Sequence, residues 1–362
     1  SKIRIRLITR NANDRFDRAF WKRKVQWAWN YRKTVMGADA SACRVLFSEA
    51  DGFPGLVVDR FEDVLVAETL SVGMERLKPM IFPALLEVLA EDGIAIRGLY
   101  ERNDASTRSL EGLAQTAGWF AGAAEDAACS LDPINPSQSE AAVFGPTTTQ
   151  IMENGVRYEV DFENGQKTGF FLDQKYNRRA VAQLAAGRRV LDCFTHTGSF
   201  ALNAAHGGAE YVNAVDISEL AVAQARKNAQ LNELDGKMDF TAANVFDLLP
   251  QLEAAHDRTY DFIVLDPPAF TKSRKTIDSA ARGYKEINYR AMKLLPRGGY
   301  LATCSCSHFM DTERFRRVVS YAAQDAGVQL RQIEERQQAP DHPILWGVPE
   351  TDYLKFFLFQ VV

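Results

Sequence analysis

A chain of 362 residues that is 46% hydrophobic and 25% charged is long enough for two or three domains and has the make-up of a soluble globular protein. Its net charge of −4 gives no general sign of a nucleic-acid binder, and no apolar run approaches a membrane span. The five cysteines, odd in number and without C-x-x-C spacing, argue against a disulfide framework or a zinc site and fit a reducing cytoplasm. The charge is unevenly spread. Residues 1–34 hold eleven Lys and Arg against Asp14 and Asp17, a local +9 that reads as a footprint for an anionic polymer on an otherwise acidic chain.

In chain order, Lys2–Ile8 alternates with period two, which predicts a strand with one apolar face. Such a strand needs partners, so the reading expects the end of a small domain whose earlier part precedes it. From Asn13 to Thr34 the spacing turns helical, with Phe16, Phe20, Trp27 and Tyr31 on one face, expected to pack rather than to stack on bases. Residues 43–101 read as an α+β unit with strands at Arg44–Phe47, Gly55–Asp59, Val64–Leu70 and Ile96–Tyr100 and a helix near Met74–Ala90. Residues 118–146, rich in Ala, Gly, Ser and Pro, read as a surface loop or linker. Asn154-Gly155 between Gln150–Met152 and Val156–Val160 predicts a hairpin.

From Glu163 onward strands and helices alternate. Strands are predicted near 189–193, 211–215, 237–241, 260–265, 299–303, 328–333 and 353–360. Helices are predicted near 174–185, 199–206, 218–232, 246–254, 279–295 and 311–326. The expected fold class is α/β: a Rossmann-like seven-stranded sheet with one antiparallel strand near its end, preceded by a smaller α+β domain. The divisions expected are 1–35, 36–162 and 163–362.

The chemistry is organised around Val190–Phe200, a short buried strand, a tight loop and a helix start. Asp192 near the strand's end and Gly198 at the helix opening leave backbone N–H groups available to a ligand. The loop is neither G-x-G-x-x-G nor a P-loop. The next strand ends in Asp216, placed to accept both hydroxyls of a ribose. Together they point to a nucleoside-containing cofactor, against the alternative of an ordinary αβ unit with two solvated acids. Asp266-Pro267-Pro268-Ala269-Phe270 follows an apolar central strand, and its prolines stiffen a loop at the carboxyl edge of the sheet. This [D/N]-P-P-x-[aromatic] pattern marks methyltransferases acting on planar nitrogenous rings. Cys306, at the exit of the next strand, is placed at the same edge and can serve as a nucleophile. Cys304 is expected to point back into the sheet or helix layer. Three segments are unusual for a plain core: Gln166–Gln174, Arg282–Asn288 after the basic loop Lys272–Lys275, and Asp341-His342-Pro343.

The combination resembles the RlmI-type bacterial ribosomal-RNA 5-methylcytosine methyltransferases, which depend on S-adenosylmethionine. It rests on Lys167–Gln174, the hub with Thr197-Gly198-Ser199-Phe200, Asp216, the Asp266-Pro-Pro-Ala-Phe loop, Arg282–Asn288 and Ser305-Cys306-Ser307. Ser48–Leu56, Asp341-His342-Pro343 and Tyr353-Leu354-Lys355 also fit, so it spans nearly the whole chain. It implies a PUA domain, a central α+β domain and a Rossmann-like catalytic domain, with Ile3–Ile8 matching the end of the first. It implies Cys306 as nucleophile toward cytosine C6 and Asp266 bonded to the base. S-adenosylmethionine would be held by Asp173, Gln174, Asp192, Phe194, Thr195, Thr197, Gly198, Asp216, Ile217, Asn244, Val245, Asp266 and Pro267. Asn244 departs from an Asp frequent in the family. Lys167, Lys272, Arg282, Tyr284, Lys285 and His342 would meet RNA. The partner implied is ribosomal RNA, with no membrane, no metal and room for a homodimer. Guanine-N7 or amino-nitrogen methylation without a cysteine, and a non-catalytic RNA-binding role, stand as alternatives.

Overall fold

A computed structural model of the chain describes residues 5–120, 144–271 and 273–362. The chain forms two compact units: one from residues 1–153, 158–173 and 340–351, the other from 154–157, 174–339 and 352–362.

In the first unit, strands β1 (Ala42–Phe47), β2 (Leu56–Phe61), β3 (Val64–Thr69), β4 (Gly98–Asn103) and β5 (Thr116–Trp119) form one sheet in sequence order. Helix α1 (Arg18–Met36) opens on Asp17, whose carboxylate accepts from the Phe20 N–H, and α2 (Val72–Glu91) opens on Ser71. The strand expected over 2–8 does not appear among the described residues 5–8. Ile5 and Leu7 are exposed, with no apolar face covered. The aromatic stripe is also corrected. Phe20 is buried, but Phe16, Trp27 and Tyr31 are exposed, and α1 packs instead through Trp21, Val25, Ala28, Trp29 and Met36. Most of the expected linker, residues 121–143, lies outside the described residues, as does Lys272 of the basic loop.

Part of the basic character of residues 5–34 is met within the first unit. Lys22 bridges Glu87 and Glu91, Arg6 pairs with Glu111, Arg18 with Glu87, Lys33 with Asp92 and Arg23 with Asp14. Arg32 is fully buried and binds Asp51 through both nitrogens at 2.6 and 2.7 Å, while donating to the carbonyls of Arg44 and Asp341. The predicted hairpin is β6 (Thr148–Glu153) and β7 (Val156–Asp161), joined by Asn154 and Gly155, both at positive φ.

The second unit holds the seven-stranded sheet. Its strands are β8 (Arg189–Cys193), β9 (Tyr211–Asp216), β10 (Met238–Ala242), β11 (Phe262–Leu265), β12 (Tyr300–Ser305), β13 (Leu330–Arg336) and β14 (Lys355–Val361). Their order is β10-β9-β8-β11-β12-β14-β13, with β14 antiparallel to both neighbours. The helices are α3 (Lys175–Leu184), α4 (Ser199–His206), α5 (Glu219–Leu231), α6 (Val245–Ala254), α7 (Ile277–Leu294) and α8 (Thr312–Ala326). The fold is Rossmann-like, as the alternation predicts. Apolar runs such as Phe262–Leu265 are wholly buried because both faces of a parallel sheet are covered. No helix among the described residues is long and apolar enough to cross a membrane.

Arg32→Met should destabilise the protein by about 3–5 kcal/mol in urea denaturation, because it strands the Asp51 carboxylate. The double variant Arg32→Met/Asp51→Asn should recover part of that loss. Equal loss in both would show that the ion pair is not the origin.

Candidate active site

Three parallel strands set the geometry. Val264 on β11 pairs with Asp192 on β8, and Leu265 pairs with Cys193 on one side and Thr303 on the other. The carboxyl ends of β8 and β11 are therefore level and β12 runs two residues further, to Ser305, all at the edge where ligands bind in open α/β sheets.

On β8, Asp192 is buried, and its Oδ2 accepts from the Thr195 hydroxyl at 2.5 Å and from the Ala201 N–H at 2.9 Å. Burial, reinforced by the charges of Asp266 and Asp216, pushes its pKa up to about 7. The loop beyond is tightly wound. Phe194, His196 and Gly198 have φ of 65°, 52° and 83°, the left-handed region where non-glycine residues are strained. At Gly198 a Cβ would lie 2.9 Å from the Ala225 side chain, so both conformation and space demand glycine. Asp216 at the end of β9 accepts from the His196 and Ser218 N–H groups, both at 2.9 Å. Ile217 beside it is 72% exposed. Asn244 caps α6 by accepting from the Phe246 N–H, and Val245 is buried. Phe194, Phe246 and Phe270 form an aromatic group, with ring centroids 5.6–6.4 Å apart.

Asp266 follows β11. Its Oδ1 accepts from the Gln174 amide at 2.9 Å, and the Gln174 carbonyl oxygen accepts in turn from Asn177 at 2.6 Å. Cys304 is buried, and burial first, then the Asp266 charge, raises its thiol pKa. Cys306 lies past the end of β12, partly exposed, with Sγ 3.9 Å from the Pro267 carbonyl oxygen. The structure thus brings Gln174, Asp192, Thr195, Asp216, Asp266, Pro267 and Cys306 to one sheet edge.

Other expected residues lie elsewhere or are occupied. Tyr284 is fully buried against Phe270, its hydroxyl 2.9 Å from the Ser307 hydroxyl, so it anchors the strand exit after Cys306. Lys285 pairs with Asp325 at 2.6 Å, and Arg282 is exposed. Asp173, Lys167 and His342 belong to the first unit. There Asp173 is buried, and exposed Lys167 lies over the Phe171 ring. His342 is buried, its Nδ1 2.9 Å from Asp341, whose other oxygen accepts from the Arg44 N–H. The sequence reading left two residues without a role. Asn177 orients Gln174, and Lys355 reaches the backbone beside Cys306. A lysine opening the apolar strand 355–361 was the available signal for the second.

The hub suits a cationic nucleoside cofactor. Asp192 Oδ1 and Thr197 Oγ1 are buried and have no hydrogen-bond partner among the described residues, as expected of groups kept for a ligand. Asp192, Asp216 and Asp266 together give a field that favours a positive charge. This fold and edge define a methyltransferase of the Rossmann-like class. Residues 96–359 match the family of S-adenosylmethionine-dependent methyltransferases. The chain is 38% identical over 364 residues to ribosomal RNA large subunit methyltransferase I of Aliivibrio fischeri, covering 100% of this chain and 85% of that one. The Yersinia pestis protein of the same name is 37% identical over the same span. A protein of Streptococcus mutans, solved as a candidate S-adenosylmethionine-dependent methyltransferase, shares the fold: TM-score 0.78, 22% identity, 98% of this chain and 84% of that one. A candidate methyltransferase solved with S-adenosylhomocysteine superposes with TM-score 0.79 at 22% identity, with the same shares of the two chains. The chain belongs to the ribosomal RNA large subunit methyltransferase I family, and is an S-adenosylmethionine-dependent methyltransferase.

The raised pKa of Asp192 makes a pH-dependent prediction. The folded chain holds that proton up to about pH 7, while the unfolded chain releases it near pH 4. Stability from this group is therefore lost as pH rises through that window. Ligand-free Asp192→Asn should gain on the parent in urea midpoint between about pH 5 and 7, with a constant gap above about 8. A pH-independent gap would contradict the assignment.

Proposed function

We propose that this enzyme transfers a methyl group from S-adenosylmethionine to C5 of a cytosine in large-subunit ribosomal RNA, through a transient covalent bond to Cys306, in the cytoplasm. The observation that carries the reading is the placement of Cys306. It is the partly exposed cysteine of the four described, and its sulfur lies over the Asp266-Pro267 loop at the sheet edge. The alternatives that methylate a ring or amino nitrogen need no cysteine there. The relatives' name supports the substrate class.

In this mechanism the Asp216 carboxylate receives the cofactor ribose. Asp192, Phe194, Thr195, Thr197 and Gly198 line its methionine end with Gln174, and Ile217, Asn244 and Val245 flank the adenine. S-adenosylmethionine supplies an electrophilic methyl group when bound. Cytosine C5 is a poor nucleophile, and attack of the Cys306 thiolate on C6 builds the electron density that C5 needs. Asp266, held in place by Gln174 and Asn177, hydrogen-bonds the ring N3 or the amino group and stabilises the adduct. Once C5 carries the methyl group, loss of the C5 proton to solvent water and expulsion of Sγ from C6 restore the ring double bond and return the thiolate. The target base leaves any stacked context to reach this edge. Exposed Arg282 is a candidate phosphate contact on the second unit.

Cys306→Ala should reduce methyl transfer to background while retaining cofactor binding, and Cys304→Ala should keep substantial activity. RNA carrying 5-fluorocytosine should trap a protein–RNA adduct in the parent, because fluorine blocks the last elimination. Full turnover by Cys306→Ala would defeat the covalent reading. Separately, Asp216→Ala should weaken S-adenosylhomocysteine binding by about 1.5–3 kcal/mol, the worth of hydrogen bonds to a charged group. Calorimetry on the folded variant checks this, and unchanged affinity would remove Asp216 from the site.

A further inference from the structure

β14 is apolar along Phe356–Phe359 but begins with a charged residue. Lys355 is only 4% exposed and lies opposite Ser305 in the β12–β14 register. Its Nζ donates to the carbonyl oxygens of Ser307 at 2.8 Å and Tyr353 at 2.7 Å. Ser307 is the residue after Cys306, so a buried amine stands one peptide from the proposed nucleophile. Those carbonyls take two of the three donors of an ammonium.

Lys355 makes no ion pair with Asp or Glu among the described residues. An ammonium buried without a counter-charge is expensive, and a fold tolerates one where an anion forms beside it. Burial lowers the pKa of the amine to about 8, while the nearby Cys306, Asp352 and Asp311 hold it up, so at neutral pH it is mainly charged. The titratable and charged groups around the pair are Asp266 and Cys304 at the strand ends, Tyr284 on α7, His308 two residues after Cys306, Asp311 at the start of α8, Asp352 before β14, and Glu335 and Arg336 at the end of β13. Arg336 is already paired with Glu334. The Pro267 carbonyl oxygen, 3.9 Å from Sγ, is an acceptor that favours the thiol over the thiolate. A thiolate formed at this edge has the Lys355 ammonium buried one peptide away.

We propose that Lys355 is the positioning residue that holds the Cys306 sulfur as a thiolate ready to attack the base. The inference rests on the reading of Cys306 as nucleophile and supplies what that reading lacks, a reason for the thiol to ionise near neutral pH. The proton leaves Sγ for water, since the amine is already an ammonium, and no bond to Lys355 forms or breaks.

The test is the pH profile of Cys306 alkylation by iodoacetamide, followed peptide by peptide in the full chain without RNA. Parent, Lys355→Met, Lys355→Gln and Lys355→Arg are compared, each checked for folding by S-adenosylhomocysteine calorimetry. Loss of the charge should move the inflection up by at least about one pH unit and slow alkylation at pH 7 about tenfold. Lys355→Arg should restore much of the shift. An inflection and a pH 7 rate within twofold of the parent, in a Met or Gln variant that binds S-adenosylhomocysteine normally, would overturn the proposal. If neither neutral variant folds, the parent decides. An inflection clearly below the free-thiol value of about 8.5 supports the proposal, and one at or above it overturns it. Alkylation needs no methyl transfer. A Cys306→Ala enzyme that still methylates RNA would therefore sink the nucleophile reading while leaving the Lys355–Cys306 coupling to be judged separately.

Discussion

The level register of β8, β11 and β12 is the constraint on which the site depends. Because Val264 faces Asp192 and Leu265 faces both Cys193 and Thr303, the loops after β8 and β11 begin at one height, and β12 runs two residues further, to Ser305, before its own exit. Asp192, Asp266 and Cys306 are spread over more than a hundred positions of the chain, yet the parallel ladder brings them to one edge. A slip of one residue in β11 would turn its side chains to the opposite layer and carry Asp266 away from Gln174. The site's precision thus comes from backbone hydrogen bonding in the sheet, and the loops need only finish it.

On that edge the electrostatics divide into two regions. The hub accumulates carboxylates at Asp192, Asp216 and Asp266, and burial first, then the charges of Asp266 and Asp216, help Asp192 keep its proton. That suits a cationic cofactor, whose arrival would relieve the mutual repulsion. The β12–β14 side holds the opposite charge, with Lys355 buried against the Ser307 and Tyr353 carbonyls. Between them the Asp-Pro-Pro loop carries a carboxylate already oriented by Gln174 and Asn177, so little side-chain entropy remains to be lost when a base binds.

Much of this was legible in the sequence, for physical reasons. The alternation of buried strands and amphipathic helices after residue 163 is strongly periodic, and the predicted strand 189–193 and helix 199–206 match β8 and α4 residue for residue. The Asp-Pro-Pro loop and Ser-Cys-Ser exit are local, so their positions at strand ends followed from the strands. The failures are of two kinds. On α1 aromatic residues occur on two adjoining faces, and helical spacing cannot tell which is covered: Trp21 and Trp29 are buried while Trp27 is not. The local +9 of residues 1–34 counts the sequence alone, and part of it is met in space by Glu87, Glu91, Glu111, Asp51 and Asp92. Lys355 illustrates the same limit, since its meaning appears only when β14 lies antiparallel beside β12.

The central claim is that the methyl group goes to C5 of a cytosine in large-subunit ribosomal RNA. Its most direct test is to incubate the purified enzyme with methyl-labelled S-adenosylmethionine and unmodified large-subunit RNA, digest the RNA to nucleosides and identify the labelled product by mass spectrometry. The account predicts 5-methylcytidine as the labelled nucleoside. Label in 7-methylguanosine or in an amino-methylated nucleoside would contradict it.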